Sequence, residues 1–116
     1  MIKNARDAEL ERLRALLNTP EVEDFLAGLR LEAAHQVLRW GEAHDRSKSA
    51  EAWFWLVAYL AGKALRAHIE GDLEKSKHHT ISTAAALFNW HKAIARDTSG
   101  RGLGEDADLA PQEAQG

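Results

Sequence analysis

Cysteine is absent from this chain of 116 residues, and methionine and tyrosine occur once each. Without cysteine there is no disulfide framework and no thiolate metal site, which agrees with a reducing cytoplasm. The longest apolar run, residues 52–62, is too short to span a bilayer. The first residues lead directly into charged, helix-like sequence, so we expect no secretory signal. We therefore expect a cytoplasmic protein that has no membrane partner.

Dense clusters of basic residues are also missing. The net charge is −3. From Asp97 onward the sequence has five acidic residues and one basic residue, Arg101, so the rest of the chain is close to neutral. Proteins that bind nucleic acid through phosphates carry clustered lysine and arginine. Nucleic acid is therefore not expected as a partner. A hydrophobic content of 45% is enough for the core of one small domain.

Apolar periodicity and capping residues predict four helices, at residues 5–17, 20–40, 50–70 and 73–96. Residues 41–49 are polar and aperiodic, which predicts a loop. Gly71 and Asp72 leave almost no connection between the last two helices, so these two should form a tight antiparallel hairpin. The fold expected for residues 1–97 is an all-α, four-helix bundle-like domain, followed by a flexible acidic tail over residues 98–116.

The third predicted helix is apolar on all sides between residues 52 and 62. Such a helix needs cover all round, and a lone four-helix domain of this size would leave one face in water. A second copy of the chain is the simplest cover, so we expect a homodimer. The alternative is a central helix that the other three surround.

A polar stripe crosses the fourth predicted helix, where His78, Ser82 and Asn89 share one face between apolar flanks. Such a stripe is either a satisfied internal hydrogen-bond network or the wall of a pocket. Lys63 interrupts the apolar third helix, and its ammonium needs either an anion or a route to the rim of the fold. If these groups converge, they form a pocket for a phosphate or carboxylate. Its candidate residues are Tyr59, Lys63, Arg66, His78, His79, Ser82 and Asn89.

Several landmarks between residues 36 and 95 occur in a recognisable order. They are Trp40-Gly41-Glu42-x-His44-Asp45, Trp53, and the runs 56–64, 79–86 and 90–94. In this order they resemble small phage-type members of the MazG-like, all-α nucleoside triphosphate pyrophosphohydrolases. In that family a Glu-Glu-x-x-Glu helix and a later Glu-x-x-Asp helix hold magnesium, which bridges the triphosphate and helps to activate water. The resemblance implies a nucleotide site between two helices.

The sequence departs from the family pattern at the metal ligands. Tyr59, Leu60 and Lys63 stand where the first three carboxylates would be, and His79 and Ser82 stand where the last two would be. Magnesium requires hard oxygen ligands, usually including at least one carboxylate, and no acidic residue remains at these positions. The resemblance therefore implies a non-catalytic or repurposed member without a cofactor, which binds a nucleotide, another anion or a protein partner. The ammonium of Lys63 would then replace the charge of the missing cation.

A second interpretation is an enzyme of another kind. His35, His44, Asp45 and Asp97 are the residue types of a His…His-Asp…Asp phosphohydrolase site, which would use Mg²⁺ or Mn²⁺ to hydrolyse a nucleotide. The spacing argues against this alternative, because His35 lies inside a helix and His44-Asp45 lies in the segment that follows it.

Overall fold

The protein is all-α over the part of the chain that the computed structural model describes, which comprises the backbone of residues 4–102 and the side chains of residues 4–97. Five helices and no strand occur in this part: α1 (Ala5–Leu17), α2 (Pro20–Trp40), α3 (Glu42–Ser47), α4 (Ala50–Ile69) and α5 (Leu73–Gly102). The predicted fold class is confirmed. None of these helices has the length and hydropathy required to cross a membrane.

Local capping groups explain where the long helices begin and end. The Thr19 hydroxyl accepts a hydrogen bond from the backbone N–H of Val22 at 3.4 Å, and the Ser49 hydroxyl accepts one from Ala52 at 3.1 Å. Gly71 has a φ of 83°, a conformation that suits glycine and closes the α4–α5 connection. The predicted boundaries of α1 and α2, the start of α4 and the tight hairpin are therefore confirmed.

The predicted loop over residues 41–49 is wrong in part, since α3 occupies most of it. Gly41 has a φ of 91°, which ends α2 and turns the chain. Glu42 and Asp45 then lie in the first turn of α3, where negative charge stabilises a helix. The hydroxyl of Ser47 donates to the carbonyl of His44 at 2.9 Å, at the other end of α3.

The last helix is longer than predicted. It continues past Arg96 to Gly102, so residues 98–102 of the predicted tail are helical. The reason is local, because the segment just after Arg96 contains no proline that would break the backbone hydrogen-bond ladder. The rest of the predicted acidic tail, residues 103–116, lies outside the described residues.

Helix α5 is the centre of the packed structure. Both α2 and α4 pack on α5 rather than on each other. The rings of Trp53 and Trp90 stack between α4 and α5 with centroids 6.3 Å apart, and the Ser76 hydroxyl donates to the carbonyl of Ala64 at 2.9 Å. The buried apolar residues are mostly small: Ala33, Trp53, Ala64, Ala67, Ala85 and Ala86. The alternative in which the helix over residues 50–70 is surrounded by the others is wrong, because α4 keeps an open outer face.

Helix α1 contributes no buried residue. Its apolar stripe, Leu10, Leu13, Leu16 and Leu17, is exposed. The packed part of the bundle therefore consists of α2, α4 and α5, with α3 bridging α2 and α5.

Candidate functional site

A cavity of about 660 Å³ lies where α2 and α4 diverge over α5, with α3 at one end. Its volume is within the usual range for small-molecule sites, roughly 300–1,000 Å³. Along α4 the wall extends from Trp53 to Lys63. At 1.5 Å of rise per residue this corresponds to about 15 Å, enough for an elongated ligand of nucleotide size.

Most of the predicted pocket residues line this one cavity: Tyr59, Lys63, His78, His79, Ser82 and Asn89. Arg66 does not. It lines a separate groove on the outer side of α4. Lys63 is the last residue of α4 on the cavity wall, and Arg66 lies about 4.5 Å further along the helix axis, beyond the end of the cavity. Leu60 also lines the cavity, so all five positions at which the resemblance expects carboxylates lie on the same wall.

The hairpin end of the cavity carries positive charge. Nζ of Lys63 lies 5.3 Å from the centroid of the Tyr59 ring, and the rings of His78 and His79 lie 5.4 Å apart. Partial burial lowers the pKa of His79, and the charges of Lys63, His78 and Lys75 lower it further, while Asp72 acts in the opposite direction. At neutral pH the His79 imidazole is therefore mainly neutral, and the ammonium of Lys63 is the cationic group on the α4 side of this end.

The polar stripe of α5 forms the floor of the cavity and also holds α2 in place. Asn89 is only 3% exposed, and its Nδ2 donates to the carbonyl of Ala33 and to Oε1 of Gln36, both at 3.2 Å. Nε2 of Gln36 in turn donates to the carbonyl of Ser82 at 3.2 Å. Oδ1 of Asn89 is buried and accepts no hydrogen bond from the described residues, 4–97. The stripe is therefore a hydrogen-bond network in which one buried acceptor has no donor in that part of the chain.

A second wall comes from the end of α2, from α3 and from the start of α4. Nζ of Lys48 lies 4.8 Å from the centroid of the Trp53 ring and 3.0 Å from Nε2 of His44. The rings of His44 and Trp40 lie 5.9 Å apart. This end therefore combines flat aromatic surfaces with a second ammonium group, and Arg39 adds a further cation.

The sequence prediction missed this second wall. Gln36, Arg39 and Lys48 were not candidates, since nothing local to them shows that α2 packs across α5. One signal was available: the Trp40-Gly41 landmark of the resemblance lies next to this wall, and Trp40 lines it.

The residues of the alternative metal site do not form one cluster. Over residues 4–97, no group of three or more His, Asp or Glu side chains is placed to hold a metal ion. His44 and Asp45 line the cavity, but His35 does not, and its Nδ1 lies 3.8 Å from a carboxylate oxygen of Glu32 instead. The physical reason is that the turn at Gly41 directs α3 toward the cavity, whereas His35 faces outward from α2.

Glu32 and Asp45 are the carboxylates on the cavity wall, and they come from α2 and α3. Neither stands at a position where the resemblance expects a magnesium ligand. The cavity is therefore suited to binding through ammonium, imidazole, aromatic and amide groups. No protein-family model, curated protein or solved structure matches this chain.

Proposed function

We propose that the chain is a non-catalytic or repurposed MazG-like protein that holds a nucleotide, or a related polyphosphate anion, without hydrolysing it. One observation carries this proposal. The five positions where the resemblance expects magnesium-binding carboxylates line a single cavity, and the residues there are Tyr59, Leu60, Lys63, His79 and Ser82. A site of that composition attracts an anion directly and does not need a cation to bridge it.

The distribution of groups in the cavity supports a nucleotide over a small anion. Phosphates suit the end with Lys63, since an ammonium forms charge-assisted hydrogen bonds with phosphate oxygens. A base suits the end with Trp40 and Trp53, which offer flat apolar surface. Asn89 also lines the cavity, and its buried Oδ1 has no donor among the described residues.

The same composition argues against hydrolysis. In the related enzymes, carboxylate-bound magnesium helps to activate the attacking water. Here Lys63 puts a positive charge where a carboxylate would bind the metal, and His79 and Ser82 are poor magnesium ligands. We therefore expect bound triphosphate to remain intact.

The proposal places the chain among small phage-type proteins of the cytoplasm that act as homodimers. The apolar outer face of α4 supports the homodimer, since Trp55 and Ile69 there are largely exposed. A protein partner is the alternative to a nucleotide as the molecule that the chain binds.

Ligand titration with two readouts tests the proposed binding. The purified chain is titrated with sodium triphosphate and with a panel of ribo- and deoxyribonucleoside triphosphates, with and without MgCl₂. We expect thermal stabilisation, worth about 2.7 kcal/mol at a hundredfold excess over Kd, and no release of pyrophosphate. Turnover would refute the non-catalytic assignment, and the absence of stabilisation by every compound at millimolar concentration would refute anion binding.

A matched pair of lysine variants tests the location of the site. Lys63→Gln removes the ammonium from the cavity, whereas Lys77→Gln removes one from the outside of α5, where Lys77 lies 3.9 Å from Glu74. A hydrogen bond to a charged group contributes about 1.5–3 kcal/mol, so we expect Lys63→Gln to weaken triphosphate binding about 10- to 100-fold. Lys77→Gln should change it less than about twofold. Equal effects of the two variants would contradict a specific site at Lys63.

A further inference from the structure

The end of the cavity near α3 carries charges of both signs. Arg39 from the end of α2, Asp45 from α3 and Lys48 from the connection to α4 all line it. Among residues 4–97 the ion pairs around α3 belong to Glu42, so the carboxylate of Asp45 and the guanidinium of Arg39 are unpaired. The ammonium of Lys48 has three N–H donors, more than its one hydrogen-bond contact on α3 uses. Two cations and one carboxylate are therefore open to a ligand at this end.

This mixture of charges distinguishes between kinds of ligand group. A phosphate offers only acceptors at neutral pH, so it would match Arg39 and Lys48 but would be repelled by Asp45. An apolar group would leave all three charged groups without a partner. The edge of a nucleobase offers donors and acceptors side by side. The charges therefore indicate a base at this end of the cavity rather than a second phosphate.

Guanine is the common base whose edges match all three side chains. Its O6 and N7 are neighbouring acceptors, and arginine or lysine donating to this pair is the commonest specific contact to a base. Its N1–H and N2 amino group are neighbouring donors, which match the two oxygens of a carboxylate. Adenine and cytosine offer one amino group beside an acceptor, and uracil offers one N–H between two acceptors. A carboxylate therefore accepts one hydrogen bond from each of those bases and two from guanine.

The length of the cavity allows a base at this end and phosphates at the other. Nζ of Lys48 lies 4.8 Å from the centroid of the Trp53 ring, at the start of α4. Lys63 lies ten residues beyond Trp53, or about 15 Å further along the helix. An extended nucleoside triphosphate can therefore reach from Lys48 to Lys63. Trp40 lines the same end as Lys48 and is 60% exposed, so its ring has open surface on which a base can stack.

We propose that the cavity selects a guanine nucleotide. Asp45 accepts hydrogen bonds from N1–H and the N2 amino group, Arg39 and Lys48 donate to O6 and N7, and the base stacks on Trp40. The inference rests on the nucleotide binding of the proposed function and adds the identity of the base to it.

A comparison of nucleotides tests the selection. Calorimetric titration of the purified chain with GTP, ATP, CTP, UTP and ITP measures each Kd. We expect GTP to bind about 10- to 100-fold more tightly than ATP, CTP or UTP, and ITP, which lacks only the N2 amino group, to lie between them. Equal affinities for GTP and ATP would overturn the selection of guanine and leave nucleotide binding standing. If no nucleotide bound, the proposed function would fail and the inference with it.

An Asp45→Asn variant tests which group reads the donors of the base. The amide keeps the shape of the side chain but replaces one accepting oxygen with a group that cannot accept. We expect the affinity for GTP to fall about 10-fold and that for ITP to fall less, so that the preference for GTP over ITP is lost. Binding of ATP should change less than about twofold, which shows that the cavity is still folded. A preference for GTP over ITP that survived the substitution would overturn the role of Asp45.

A matched pair of arginine variants tests the other edge of the base. Arg39→Gln removes a cation from the cavity wall, whereas Arg46→Gln removes one that lies 3.7 Å from Glu42 and does not line the cavity. We expect Arg39→Gln to lower the affinity for GTP about 10-fold and to change that for inorganic triphosphate less than about twofold. Arg46→Gln should change neither affinity by more than about twofold. Equal losses of GTP affinity in the two variants would indicate a general effect of positive charge and would overturn the role of Arg39.

Discussion

His79 connects the charge of the cavity to the stability of the fold. It lies near the hairpin end of α5, where partial burial lowers its pKa and the charges of Lys63 on α4 and His78 on its own helix lower it further. A bound anion would offset this repulsion and favour the imidazolium form. By linkage, anion binding should therefore become tighter as the pH falls toward the pKa of His79.

The lowered pKa of His79 also predicts how stability depends on pH. Between the folded value and the ordinary value of 6.5, the unfolded chain binds more protons at this residue than the folded chain does. The folded state therefore has its full stability above about pH 6.5 and loses part of it as the pH falls through this window. His79→Gln removes this contribution. We expect urea unfolding at pH 8 and pH 5 to show a smaller loss for His79→Gln than for the wild type.

His35→Gln controls for the loss of an imidazole outside the cavity, on the exposed side of α2. If His79→Gln and the wild type lost the same stability between the two pH values, the structural origin of the lowered pKa would be contradicted.

At the level of helices, the contact between α2 and α5 depends on a glycine. A Cβ added at Gly28 would lie 3.0 Å from Cδ1 of Ile81, which is tighter than ordinary van der Waals contact. This close approach brings Gln36 and Ala33 within hydrogen-bonding distance of the floor of the cavity. The spacing between α2 and α5 therefore positions one wall of the proposed site.

A double-mutant cycle tests this contact. Gly28→Ala gains about 1 kcal/mol of helix propensity but crowds Ile81, so alone it should change stability by less than about 1 kcal/mol. Ile81→Val removes Cδ1, the atom nearest to the added methyl group. We expect Gly28→Ala to be more stabilising in the Ile81→Val background than in the wild type, by about 0.5–1 kcal/mol in urea unfolding. If the two substitutions changed the free energy of unfolding additively, α2 and α5 would be able to move apart at Gly28 without a free-energy penalty.

Local sequence signals predicted the helices well because the causes are local. Thr19, Ser49 and Gly71 act on backbone groups within a few residues, so their effects can be read from a short segment. The short helix α3 escaped prediction because it has no side-chain cap at its start. The continuation of α5 past Arg96 was not predicted because the segment is polar and contains Gly100 and Gly102, which are poor helix formers, so it was interpreted as a tail.

The candidate site was predictable only in its α4–α5 half. A tight hairpin forces its two helices together, so the helical wheel was enough to bring Lys63, His79 and Ser82 to one place. The other half depends on how α2 packs across α5. That packing is determined by tertiary contacts such as those of Gly28 and Gln36, which no local pattern specifies.

At the scale of the whole molecule, the proposed cavity site and the proposed dimer face use different sides of α4. Tyr59 and Lys63 line the cavity, whereas Phe54, Leu65 and Ile69 lie on the outer face. At about 100° per residue, the two sets are separated by roughly 80–180° around the helix axis. The proposed dimer therefore leaves the cavity open, and each chain carries a complete cavity wall of its own.

The proposed dimer makes stability depend on concentration, because association stabilises only the folded state. A tenfold increase in protein adds about 1.4 kcal/mol per dimer, so the thermal midpoint of the wild type should rise by roughly 3 °C. Trp55→Arg puts a charge on the exposed outer face of α4 and should abolish this dependence, while triphosphate binding changes less than about twofold, because Trp55 does not line the cavity. Leu38→Arg is the control, since Leu38 is 82% exposed on α2. Calorimetry at 10 and 100 μM measures the midpoints. A wild-type midpoint that does not depend on concentration would contradict the dimer. Loss of triphosphate binding in Trp55→Arg would contradict the separation of the two sides.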